Sequence, residues 1–329
     1  MTLPRIRQTL SLACILAYAL NCATALAQTT AEYPNRAMRL IVPQAAGGAL
    51  DVSARLIAVR MSENLGQPVI IENRPSAGGI AGMEAVAKAA PDGYTLLMAA
   101  APIATNTALG LKLPYDPERD FAPISLAVSI PLLFVVHPAT PYRTLTDIVE
   151  DSKRQPAGVA VAIASIGAIP HLLSEMMKLT TRANLNLIFY KGSAPASLDT
   201  LSGTIPVFID ALGPVRTHVE SGKLRAIALT STVRSPLFPS VPTVGEQGMP
   251  DLTGAAFFGL LAPGGTALPI QRRLNQAIVA ALSNAELRER MHKQGYEIHA
   301  STPEGYKAYM KNEIERWTPV VKAAGIKLD

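Results

Sequence analysis

Short apolar runs alternate along this chain with segments whose apolar residues recur every three or four positions. Arg39 to Val42 reads as a buried strand. Leu50, Ala54, Ile57, Ala58, Met61 and Leu65 follow at the repeat of one helix face, predicting a helix over Val52 to Leu65. The same alternation continues through PVIIENR, a helix from Ile80 to Ala90, and YTLLMAA. It is the βαβ pattern of a parallel sheet with helices on both faces. A second series follows: a helix from Thr144 to Arg154, the strand VAVAIAS, a helix from His171 to Leu179, less regular strand material at NLIFY, and the strand TIPVFIDAL. RAIALTS, a proline-rich stretch from Ser235 to Pro250 and AAFFGLLAP lead to two closing helices, Leu268 to Leu282 and Pro303 to Ala324. Thr302 and Pro303 suit a helix entry, and Gly325 suits its exit.

Between the first strand and helix lies RLIVPQAAGGALD, where an apolar run breaks at Pro43 into small residues and the pair Gly47 and Gly48. Glycines let a backbone approach a guest closely. The unpaired N–H groups of the following helix start can then hold a carboxylate, phosphate or amide oxygen without a charged side chain. Asp51 sits at or near that helix start. It either complements the first turn or accepts hydrogen bonds from a ligand amine or water. Neither the GxGxxG nor the GxxxxGK[ST] spacing is present, and Gly78 to Gly82 reads as a strand-to-helix turn.

Arg5 and Arg7, the apolar stretch Leu10 to Leu20 and the small residues Ala25 to Ala27 form an export signal over residues 1–27, so the mature chain is expected to start at Gln28. Both cysteines, Cys14 and Cys22, fall in the removed part, which leaves no disulfide or thiol chemistry. Loss of Arg5 and Arg7 takes the formal net charge from +5 to +3. The basic residues are scattered among acids, which argues against nucleic-acid binding. After the signal no apolar stretch reaches membrane-spanning length, so a soluble exported protein is expected.

About 300 mature residues suit two domains. Ile124 to Val136 and Thr253 to Ala262 are long, proline-flanked apolar passages that read as crossovers between them. The expected organisation is a discontinuous first domain, residues 28–130 and 256–329, with a second, 131–255, inserted. The strand ends carrying Pro43 to Gly48 and Ser165 to Gly167 would then face a shared cleft. An enzyme there would need a nucleophile with a base, or a metal site. The chain has no GxSxG, SxxK, HExxH or CxxC, and its five His residues show no metal spacing, so neither catalysis nor a cofactor is expected.

YPNRAMRLIVP, GGALDVSARLIA, LGQPVIIENRPSAGG, AAPDGYTLL, KLPYDPERDFAPISL, YKGSAPA, SGKLRAIALTS, RSPLFPSVPTVGEQG, FFGLLAPGGT and ERWTPVVKAAGIKLD occur in this order. In them the chain resembles the Bug receptors, the periplasmic solute-binding proteins of tripartite tricarboxylate transporters, over essentially all of its mature length. The resemblance implies an α/β two-domain Venus-flytrap fold of the type II periplasmic-binding-protein kind, without catalysis. It implies a small ligand, a carboxylate or its amide, held by backbone groups and waters from one loop of each domain. It also implies delivery to a membrane permease; a sensor protein as recipient would use the same binding chemistry. The protein is expected to act as a monomer in the periplasm.

Carried onto this sequence, the first loop is Gln44, Ala45, Ala46, Gly47, Gly48 and Asp51, and the second contains Ser165, Gly167, Ala168 and His171. Five positions depart from the family's habit: Gln44 replaces an aromatic residue, Leu50, Pro102 and Ala168 replace hydroxyl residues, and Ala211 replaces an asparagine. Such a pocket is more apolar, and a ligand class other than the commonest dicarboxylates is expected. His171 either contacts the guest or steadies the loop. Asp210, at the end of an apolar strand, either meets a ligand or makes a structural hydrogen bond. Tyr190 and Lys191 belong to a second-domain turn, and Phe257 and Phe258 either wall the pocket or fill the hinge core.

Overall fold

The computed structural model describes residues 33–190 and 192–326; the predicted export signal and Lys191 lie outside the described residues. Residues 37–326 fall in one compact unit. Its strands are β1 Met38–Val42, β2 Val69–Asn73, β3 Thr95–Ala100, β4 Phe121–Val136, β5 Val159–Ile163, β6 Leu185–Phe189, β7 Val207–Ala211, β8 Arg225–Leu229, β9 Ala255–Pro263 and β10 Glu297–Ile298. They join in the order β2-β1-β3-β9-β4-β7-β5-β6, with β8 and β10 also pairing with β4.

The local physics matches the predicted pattern. Helix α1, Ala49–Leu65, buries Leu50, Ala54, Ile57, Ala58, Met61 and Leu65, the stripe whose spacing predicted it. Helices α2 (Ile80–Ala87), α3 (Pro102–Ala108), α4 (Leu145–Arg154), α5 (Ile169–Thr181), α6 (Ser193–Leu201), α7 (Leu212–Glu220), α8 (Leu268–Ser283), α9 (Ala285–Lys293) and α10 (Pro303–Ala324) complete the set. Thr302 caps α10 by accepting from the Gly305 N–H at 3.1 Å, and Gly325 ends it. β6 is a regular parallel strand paired with β5, more ordered than its sequence suggests. The short helices α3, α6, α7 and α9 were not expected.

The sixteen-residue β4 explains the first long apolar passage. From Phe121 to Pro131 it runs antiparallel to β9, and from Leu132 to Val136 it pairs with β7 and β8. The second passage behaves differently, since β9 pairs with β3 and β4 throughout, and Gly254 just before it bonds to Thr230. Buried Thr230 joins the two places. Its Oγ1 accepts from the Leu132 N–H at 2.9 Å and donates to the Gly254 carbonyl, while its own carbonyl accepts from the Gly254 N–H at 2.9 Å.

Candidate functional site

The first loop leaves β1 at Pro43 with Ala45, Ala46 and Gly47 exposed. Gly47 has φ +88°, a left-handed conformation that suits glycine. Its N–H donates to Asp51 Oδ2 at 2.9 Å. Asp51 lies in the first turn of α1, is 2% exposed, and also accepts from Arg55 Nε at 3.0 Å and Asn73 Nδ2 at 2.9 Å. Burial pushes its carboxyl up, but the hydrogen bonds from Arg55, Gly47 and Asn73 and the charge of Arg55 outweigh that and hold it below its ordinary value. Asn73 also donates to the Gln44 carbonyl at 3.1 Å. Asp51 is therefore an ionised brace whose oxygens are committed to the protein.

The second loop repeats the device with neutral chemistry. Gly167 has φ +74°, and its N–H donates to His171 Nδ1 at 3.0 Å, again four residues on and in the first turn of a helix, α5. His171 is 2% exposed, and burial, with the charge of Lys178, lowers its pKa to about 4. At neutral pH it is uncharged, with Nδ1 accepting and the proton on Nε2. Phe189 packs edge-on against its ring at 4.9 Å. Neither α1, which starts after Gly48, nor α5, which starts after Ala168, has a side-chain cap. The first N–H groups of α1 are left for another partner; in α5 Pro170 has no N–H and that of His171 donates to the Ala168 carbonyl at 3.0 Å, so the role falls to Ile169.

Helix α3 joins the loops. Buried Pro102 opens it, Thr105 Oγ1 donates to the Gly167 carbonyl at 2.7 Å, and Asn106 Nδ2 donates to the Gly78 carbonyl at 3.0 Å. Asn106 Oδ1 is buried without a hydrogen-bond partner. Gly79 and Gly82 pack closely on Pro43, and a Cβ on Gly167 would stand 3.5 Å from Asn106 Oδ1. A continuous line of contacts thus connects Pro43 with Gly167.

Near the second loop, Tyr190 spends its hydroxyl on Asp199 Oδ2 at 2.6 Å, and burial together with Asp199 pushes its pKa up to about 12. Asp210 Oδ1 accepts from the Ala211 N–H at 2.8 Å, whereas Oδ2 is buried without a partner. Burial lifts this carboxyl to about 6 against the opposing pull of Ser193 and the Ala211 N–H. Phe258 is buried against Tyr296, whose hydroxyl donates to the Ala49 carbonyl at 2.6 Å, so it sits behind the first loop.

A family model for the tripartite tricarboxylate transporter family receptor, TctC, matches residues 53–326. The chain belongs to that receptor family. BugT of Bordetella pertussis is 39% identical to it over 90% of this chain and 91% of its own length. The R. palustris protein Rpa4515 with adipate superposes with a TM-score of 0.85 at 33% identity, covering 90% of this chain and 99% of that one. MatC from Rhodopseudomonas palustris with bound malate gives 0.82 at 31%, covering 88% and 100%. The fold is thus the two-domain α/β solute-binding architecture, and the family's members are binding proteins.

In this TctC receptor, residue-type reasoning found both loops but missed their supports. Arg55, Asn73 and Ser193 lie within segments that carry the family resemblance but have no role assigned by it here, and Thr105 and Asn106 belong to the unexpected α3. Pro102 after a strand end and Gly110 beyond it were the available signal for that helix. Among the described residues no group of three or more His, Cys, Asp or Glu side chains could hold a metal ion, and no helix is long and apolar enough to cross a membrane. A recess of about 220 Å³ lined by Arg55, Leu56, Val59, Arg60, Leu287 and Arg290 lies between α1 and α9 and contains none of the predicted site residues.

Proposed function

We propose that this receptor captures a small organic carboxylate between its two lobes and delivers it to a membrane permease of the tripartite type. One observation carries the reading: each lobe presents a glycine-bearing bend, braced from within by a side chain four residues on, at the start of a helix without a side-chain cap. Such helix starts offer unspent main-chain N–H donors, more of them at the first bend than at the second, and the positive end of a dipole, which suit a carboxylate better than a cation or an apolar guest. The adipate and malate bound by the two structural relatives support the class. The lobes are residues 28–130 with 256–329, and residues 131–255. The change of partners along β4 and the Thr230 link supply the hinge between them.

The open form admits solute, and closure is stabilised by contacts such as Thr105 to Gly167 that join the lobes. The family is periplasmic, and the mature chain starts at Gln28, acts there as a monomer and carries out no turnover. Isothermal titration of the purified mature protein against a panel of mono- and dicarboxylates and their neutral amides tests this. At least one carboxylate is expected to bind with micromolar affinity or better, and to be recovered unchanged. Binding of neutral amides alone, or consumption of the bound compound, would overturn it.

A further inference from the structure

Resting on the carboxylate-receptor reading, we infer that the recess between α1 and α9 docks an acidic segment of the membrane permease, and that this contact loosens the first bend through Arg55. Three arginines, Arg55, Arg60 and Arg290, and three aliphatic side chains, Leu56, Val59 and Leu287, line the recess, and no carboxylate does. Val59 is 60% exposed. Arg60 is engaged by Glu63 at 2.9 Å and by Glu286. Glu286 stands one turn before Arg290, where an i,i+4 pair would form, but it is drawn across to α1, and Glu289 pairs with Lys293 at 2.7 Å. Exposed Arg290 is therefore left without an ion pair among the described residues.

Arg55 faces two ways. Its Nε donates to Asp51 Oδ2 at 3.0 Å and its Nη2 to Asn73 Oδ1 at 2.9 Å, whereas Nη1 has no hydrogen bond among the described residues and the side chain is half exposed. A partner carboxylate seated in the recess takes the free donors of Arg55 and Arg290. An aliphatic side chain beside it covers Leu56, Val59 and Leu287. A small free anion leaves that apolar floor bare, so a peptide carrying both groups fits the recess better. The same carboxylate draws the Arg55 guanidinium away from Asp51, which holds the Gly47 N–H at 2.9 Å. Docking thus weakens the brace of a guest-holding bend at the point of delivery. The other wall of the recess reaches the second lobe, since Arg216 of α7 donates to the Lys293 carbonyl at the end of α9.

The test titrates the mature protein at low salt with a fluorescein-labelled acidic peptide, LDLELD, and its neutral counterpart, LNLQLN, read by anisotropy. The acidic peptide is expected to bind about tenfold tighter, and Arg290→Glu to remove that preference. Should Arg290→Glu fail to fold, Val59→Asp at its exposed position should do the same. Hydrogen exchange should show the acidic peptide protecting residues 56–60 and 287–290 while exchange of the Gly47 N–H speeds up. Equal binding of the two peptides, a preference unchanged in the variants, or an unaltered Gly47 N–H would overturn the inference. So would Arg290-dependent binding to phosphatidylglycerol vesicles without peptide binding, or Arg290-dependent dimerisation, which would give the recess to a lipid or to a second copy. None of these measurements needs the guest, so failure of every carboxylate in the titration panel would instead remove the receptor reading itself.

Discussion

The bends at Gly47 and Gly167 hold the same backbone shape with different chemistry. Each glycine takes a positive φ, and each N–H turns inward to a side chain four residues later on a helix's first turn. At Gly47 the acceptor is an ionised carboxylate, tied also to Arg55 and Asn73. At Gly167 it is a neutral imidazole walled by Phe189. The first brace can stay charged because its partners supply three donors. The second, equally buried but without an ion pair of comparable quality, works by giving up its proton; Glu175 lies 4.0 Å from its Nε2. The shared requirement is a bend held in a left-handed turn at the start of a helix, and either chemistry meets it.

Removing each brace should separate the two loops. The largest effect is expected from Asp51→Ala, which strands the Gly47 N–H and releases Arg55 and Asn73. A loss of about 4.5 kcal/mol in stability follows if each of the three hydrogen bonds to the charged group contributes about 1.5 kcal/mol. Chemical denaturation measures it, and a loss under about 1 kcal/mol would show that the loop holds itself.

The second effect is pH-dependent and belongs to the histidine brace alone. His171 has a native pKa of about 4, below its ordinary 6.5, so on acidification the unfolded chain takes up the proton first. Its stabilising contribution is complete above pH 6.5 and drains as pH falls towards 4, by about 3 kcal/mol at the limit. His171→Gln keeps an acceptor without titrating, so the stability gap between wild type and variant should narrow or reverse over that window. Parallel pH profiles would contradict the neutral-brace assignment.

The smallest effect distinguishes the glycines. Gly47→Ala meets open space and pays for the left-handed backbone alone, about 1 kcal/mol, while Gly167→Ala must also displace Leu109, 3.2 Å from the added carbon, and should cost about twice that. Equal losses in thermal unfolding would show that Leu109 yields freely.

Much of this was legible in the chain. The stripe from Leu50 to Leu65 placed α1, the break at Pro43 placed the first bend, and the length of the Ile124 to Val136 run set it apart from the other strands, as the sixteen-residue β4 is. The roles of Asp51 and His171 stayed open, because a helix-start side chain can turn inward to brace or outward to bind, and sequence spacing is the same for both. The bridge through Thr105 and Asn106 was hidden for a different reason: it joins residues 62 apart through a seven-residue helix too short for periodicity to announce.

Amide hydrogen exchange, followed along the whole chain with and without a saturating carboxylate from the binding panel, tests the central claim most directly. The account predicts that protection rises together in residues 45–48 and 165–168, because main-chain N–H groups from both bends hold the guest. Protection confined to one bend, or to the recess between α1 and α9, would contradict it.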